Sequence, residues 1–175
     1  TYTVDYLQNV AGGPPVVYLN VPSQEMKNIT QKLLEDGLPV WMGCDVGKQM
    51  HRERGLWDAK LFDFAELYGT EFGMDKANRL RYSQTMMTHA MLFTGVDVVD
   101  GAPRRWRVEN SWGAKKSGEE GFYTMNDSWY DEHMFEIAAP TDYLTEKMKK
   151  GLSTTPVVLP AWDPMGSLAK DEAAL

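Results

Sequence analysis

The stretch THAMLFTGVDVV-DGAP-RRWRVEN, residues 88–110, constrains the fold of this chain most strongly. Its first part is rich in β-branched, aromatic and apolar residues. DGAP is a turn sequence, and RWRVEN alternates polar with apolar positions, so the stretch reads as a β-hairpin. A glycine-rich loop, SWGAKKSGEEG, follows, and GFYTMN supplies a third strand. The late middle of the chain is therefore an antiparallel meander.

Other elements surround it. Residues 1–10 and 16–21 read as short strands either side of the break AGGPP. After Pro22, Ser23 is placed to cap a helix and Glu25 favours its first turn. Met26, Ile29, Leu33 and Leu34 form one apolar face, and Gly37 ends the helix in a left-handed conformation. LPVWMGCDVG is short and apolar, like a buried strand. Residues 48–73 read as loops and short helical turns, and a helix is expected from Asp75 to residue 87. DSWYDEHM is read as one helical turn capped by Asp127, and residues 143–150 as another. TTPVVLPAWDPMG carries three prolines and is expected to run extended over a surface, ahead of a polar tail. Helices packed on an antiparallel sheet make an α+β class.

A chain of 175 residues suits one domain or a large part of one. The net charge of -7 weighs against nucleic acid as a partner, because non-specific binding needs a basic footprint. Two small basic clusters, Arg104, Arg105 and Arg107 around Trp106, and Lys147, Lys149 and Lys150, read as solvated faces. One cysteine, Cys44, excludes an internal disulfide and suits a reducing compartment, so a cytoplasmic location is expected. No apolar run is long enough to span a bilayer. No HExxH, CxxC or spaced carboxylate loop suggests a metal, and no cofactor is expected. The chain starts on Thr1 inside a strand-like segment, which raises the expectation that more sequence precedes it.

Three histidines are candidates for chemistry. His51, in the highly charged KQMHRERG, reads as an exposed loop residue, and His133, in YDEHMF, as one whose acidic neighbours raise its pKa. His89 begins the first strand of the hairpin and Asn110 ends the second. An antiparallel return brings these two positions side by side. An amide oxygen accepting from one imidazole nitrogen would fix the tautomer and leave the other nitrogen to serve a nucleophile. Trp112 would shield that hydrogen bond from water. The competing reading of His89 is a satisfied core histidine. Cys44 is a poor nucleophile on local grounds, because it ends a strand beside Asp45, and a neighbouring carboxylate disfavours thiolate. Ser111 and Thr88 flank the pair without a histidine to spare.

THA, VENSWG and GFYTM together resemble the histidine–asparagine half of papain-like cysteine peptidases. PVWMGCDVGK, MTHAM, WRVENSWG and LPAWDPMGSLAK, in that order, resemble the bleomycin hydrolase and aminopeptidase C branch over residues 1–170. The resemblance implies a papain-like fold with His89 as general base, Asn110 as its orienting amide, Trp112 beside them and Cys44 outside the chemistry. It implies that residues 1–150 are the His/Asn part of a peptidase domain, and residues 151–175 an extended arm. The family's nucleophilic cysteine, preceded by an oxyanion glutamine, lies in an N-terminal segment that these residues do not include. The isolated chain is then expected to be inactive. It further implies a homo-oligomer of hexameric cage type, with peptides or amides bearing a free N-terminus as substrates. The arm, here Ser167, Leu168, Ala169 and Lys170, would enter the cleft. DEAAL after Lys170 departs from the family's usual ending, so the tail is either trimmed or seated differently. Two alternatives remain. One is a non-catalytic papain-like module acting in oligomer assembly or nucleic-acid binding. The other is a hydrolase using Cys44, which requires Cys44 within hydrogen-bond reach of His89.

Overall fold

A computed structural model of the protein describes residues 1–115, 118–166, 168 and 169. In chain order the elements are β1 (Tyr2–Val4), α1 (Ser23–Glu35), β2 (Val40–Cys44), β3 (Met50–His51), β4 (Leu56–Trp57), α2 (Phe64–Tyr68) and α3 (Lys76–Arg81). The second half holds β5 (His89–Val99), β6 (Ala102–Glu109), β7 (Phe122–Asn126), α4 (Asp127–His133), β8 (Met134–Ile137), α5 (Glu146–Leu152) and β9 (Val157–Leu159).

The meander forms as its sequence dictates. β5 and β6 pair antiparallel across a two-residue turn, Asp100–Gly101, where both residues take positive φ (52° and 79°). That is the mirror-image turn whose twist matches the strands, and Asp-Gly is a favoured sequence for it. β7 then pairs antiparallel with β6. The remaining strands extend this core into one sheet of order β3-β4-β7-β6-β5-β2-β8, while β1 and β9 pair parallel in a separate ribbon. Register shifts between Phe93 and Gly95, and between Asp97 and Val98, interrupt the β5–β6 ladder. Bulges of this kind bend a sheet and re-aim side chains.

α1 lies against the sheet through buried Met26, Ile29 and Leu33. Trp57, Trp106, Trp129, Tyr130 and Phe93 form the centre of the core, with Met91, Met125 and Met134 filling between them. Aromatic payload of this size dominates core energetics, and methionine adapts to the gaps that rigid rings leave.

Several local expectations change in the folded chain. Ser23 is the first residue of α1 and makes no capping hydrogen bond; Pro22 holds the cap position, and Ser23 Oγ accepts from Lys76 Nζ instead. Gly37 does close the helix at φ 80°. The helix expected from Asp75 to residue 87 stops at Arg81. Asp75 caps it through Asn78 N, but Ser83 turns left-handed at φ 55° and the chain runs on without helix. Asp127 does not cap α4. Its carboxylate serves Lys27 Nζ (2.7 Å) and Trp106 Nε1 (3.0 Å), a tertiary demand that outweighs a local one. Residues 16–21 form only a single bridge, between Tyr18 and Tyr2, and the region after Lys48 contains the short strands β3 and β4.

Candidate active site

β5 is central in the sheet, and its first residue is His89. Thr88, just before it, donates its backbone N–H to the Cys44 carbonyl (2.9 Å), and its hydroxyl accepts from Val46 N (3.1 Å). The start of β5 is thereby held against the end of β2. One residue earlier, Met87 N donates to the Pro164 carbonyl (3.0 Å), so the C-terminal segment also passes this point. Asn110 follows the last residue of β6. Its backbone N–H donates to the Gly121 carbonyl (3.0 Å), which fixes its main chain where the glycine-rich loop begins. With Leu92 opposite Glu109, Asn110 comes level with the beginning of β5.

The two side chains meet there. His89 Nε2 and Asn110 Oδ1 are 2.9 Å apart. An amide oxygen is only an acceptor, so Nε2 donates and the lone pair resides on Nδ1. Asn110 Oδ1 also accepts from Ser111 N (2.8 Å), so the amide is oriented from two directions and is nearly buried. Its Nδ2 is buried with no hydrogen-bond partner among the described residues. The Trp112 ring stacks on the imidazole, with centroids 5.0 Å apart at 29°. Tyr123 meets the indole edge-on at 6.1 Å, and the Arg52 guanidinium carbon lies 4.7 Å from the indole centroid. Sequence reasoning missed Tyr123 and Arg52. Tyr123 lies in GFYTMN, which reads only as a strand, and Arg52 comes from a turn 60 residues before Trp112 that no local pattern marks.

Cys44 lies directly across from His89 in the β2–β5 register. Its thiol is fully buried and donates to the His89 backbone carbonyl (3.7 Å), and no hydrogen bond joins it to the imidazole among the described residues. Burial pushes the thiol pKa up strongly, and Asp45 and Glu136 add to the effect. A protonated, enclosed thiol is a structural residue and not a nucleophile.

The other two histidines differ from their sequence readings. His51 lies in the short strand β3, half-buried, with Nδ1 accepting from Arg54 N (3.4 Å). His133 is buried, its ring tilted against Trp129 with centroids 5.1 Å apart. Its pKa is pushed down to about 3, first by burial and then by Arg79, Lys76 and Lys48. The expected rise from its acidic neighbours is overturned. Asp131 is drawn to Lys27 and Glu132 to Arg79, so the imidazole feels burial and cations instead.

Of the four arm residues, Ser167 and Lys170 lie outside the described residues. Leu168 is exposed, and Ala169 N donates to the Gly166 carbonyl (3.2 Å). Two surface concavities, one lined by Val99, Arg104, Asn126 and Asp127 and the other by residues 61–67, include neither His89 nor Asn110. Concavity alone would therefore point away from the His89–Asn110 pair. The paired side chains are the better guide, because a nucleophile–base cleft requires an opposite wall.

Comparison with known proteins identifies the family of the chain. The Peptidase C1-like family matches residues 1–166. Aminopeptidase C of Listeria innocua is 43% identical over 168 residues, covering 96% of this chain and 38% of that protein. Bleomycin hydrolase of Homo sapiens is 42% identical over 173 residues, covering 97% and 38%. The crystal structure of PepW from Lactobacillus rhamnosis HN001 superposes with a TM-score of 0.91 at 42% identity, covering 96% of this chain and 38% of that one. The chain thus spans about 38% of the length of the relatives it matches. With a match along almost its whole length, an α+β fold shared with a solved relative and a histidine–asparagine pair under a tryptophan, the chain belongs to the Peptidase C1-like family.

Proposed function

We propose that this chain supplies the histidine–asparagine half of a cysteine-type aminopeptidase of bleomycin hydrolase type. His89 acts as general base and then general acid, Asn110 orients it, and a cysteine outside residues 1–175 is the nucleophile. The observation that carries this reading is the 2.9 Å contact between His89 Nε2 and Asn110 Oδ1 against the Trp112 ring. With the proton on Nε2, the Nδ1 lone pair is available, and Nδ1 makes no hydrogen bond among the described residues. Nδ1 takes the proton of the incoming thiol, and the thiolate attacks the amide carbonyl. As the C–N bond breaks, the imidazolium returns that proton to the leaving amine. Water, deprotonated by His89, then releases the acyl group. Trp112 keeps solvent from the His89–Asn110 bond, which strengthens it in a low local dielectric.

The names of the relatives, Aminopeptidase C and Bleomycin hydrolase, support peptides or amides with a free N-terminus as substrates. The scheme calls for no cofactor. A hexameric assembly and a C-terminal arm in the cleft rest on the family resemblance. A cytoplasmic setting rests on the single, buried, reduced cysteine. Among the described residues no helix is long and apolar enough to cross a membrane.

The test is steady-state hydrolysis of aminoacyl-amides by the full-length protein. His89→Ala is expected to lower kcat by about 10³-fold, the range for a general acid–base group. Undiminished turnover by a folded His89→Ala protein would refute the assignment.

A further inference from the structure

Arg52 lies in the turn between β3 and β4, and its guanidinium rests on the Trp112 ring at 4.7 Å. Trp112 is also the ring stacked on His89. Arg52 is exposed, and its nitrogens make no hydrogen bond or ion pair among the described residues. Other arginines of the fold are spent on partners: Arg104 on Asp97, Arg79 on Glu132. With no hydrogen-bond or ion-pair partner among the described residues, the N–H fork of Arg52 is open, and such a fork matches a carboxylate in two-point geometry.

The place of this fork gives it a meaning. In the reading proposed above, on which this inference rests, His89 hands a proton to the leaving nitrogen. The leaving part of the substrate therefore lies beside the imidazole, and the wall nearest to it is Trp112. An open cation on that ring can pair with a charge that the leaving group carries. A short peptide with one residue beyond the scissile bond carries its C-terminal carboxylate there. We infer that Arg52 is a specificity-determining residue, selecting substrates whose leaving residue bears a free carboxylate, dipeptides above all, over neutral amides of the same residue.

The experiment compares alanyl-glycine with alanyl-glycinamide, which differ only in that carboxylate. In the full-length protein, Arg52→Gln is expected to lower the ratio of kcat/KM for the acid over the amide by about tenfold, chiefly through KM, as loss of one charge-assisted hydrogen bond predicts. Arg52→Lys should recover part of the ratio. An equal fall for both substrates would show that Arg52 merely steadies Trp112, and an unchanged ratio would show no role; either result overturns the inference. Calorimetric binding of the same two ligands to the full-length His89→Ala protein, with and without Arg52→Gln, reads the preference without turnover. Failure of hydrolysis in the unsubstituted protein would refute the peptidase reading. The Kd ratio would still decide the role of Arg52, with a tenfold change supporting it and no change overturning it.

Discussion

At the scale of single residues, Asn110 and Cys44 show how much depends on what surrounds a side chain. Both lie beside His89. Asn110 offers an oxygen to the imidazole and a second hydrogen bond fixes it, so it is placed to orient the ring. Cys44 sits opposite His89 in the register, yet its sulfur points to a backbone carbonyl in a closed interior. Substituting Cys44→Ala in the full-length protein is expected to leave aminoacyl-amide hydrolysis intact. It should lower unfolding stability by about 1–2 kcal/mol, the cost of a small buried cavity. Turnover and chemical unfolding of one preparation check both statements, and a loss of turnover would return Cys44 to the list of nucleophiles. The exclusion of Cys44 was legible in the sequence, because the residue ends a strand next to Asp45. The role of Arg52 was not. Nothing in KQMHRERG distinguishes the one guanidinium that reaches Trp112 from the charged side chains around it.

At the scale of elements, the hairpin was readable because its signals are local: a period of two, and an Asp-Gly turn. The short strands β3 and β4 were not readable. Two residues carry no periodicity, and these strands exist because β4 adds parallel to β7. Gly55 marks that junction. It has φ 59°, and a Cβ there would run into the Gly118 backbone, while its carbonyl accepts from Thr124 N (2.8 Å). Gly55→Ala thus combines backbone strain with a clash that no side-chain rotation relieves. It is expected to cost about 1–3 kcal/mol. Urea unfolding measures this directly, and a neutral result would mean the β4–β7 junction is not as tight as described. The same turn carries Arg52, so the variant should also lower the preference for a leaving carboxylate. Helix ends were the least legible. Ser23 and Asp127 are cap-type residues, but partners across the fold, Lys76 for one and the buried Lys27 and Trp106 for the other, claim their side chains.

At the scale of the whole molecule, a charged layer ties α1, α3 and α4 together. Lys27 is buried between Asp127 and Asp131, each at 2.7 Å. Burial opposes its charge, but the two carboxylates outweigh that and hold its pKa above the usual lysine value. Lys76, beside Phe135, is pushed down to about 8 by burial in spite of Asp131 and Glu132. His133 occupies the same region as a neutral, buried imidazole. Its pKa is about 3 in the folded protein against 6.5 in the unfolded chain, so the unfolded state binds a proton first as the pH falls. Its contribution to stability is full above pH 6.5 and disappears progressively toward pH 3. Between pH values of about 7 and about 5 this single group should remove roughly 2 kcal/mol. Denaturant unfolding at the two pH values tests this, with His133→Gln as the comparison. An equal pH slope in both proteins would rule out His133 as the source. What the amino-acid sequence alone determined is the meander, the α+β class, the approach of His89 to Asn110 and the family. These follow from local alternation, turn chemistry and contiguous motifs. Only the tertiary structure decided that His133 is neutral, that Asp127 serves α1 instead of its own helix, and that Arg52 lies over Trp112. Each of those depends on desolvation and on charges brought together from distant parts of the chain, which no window of sequence contains.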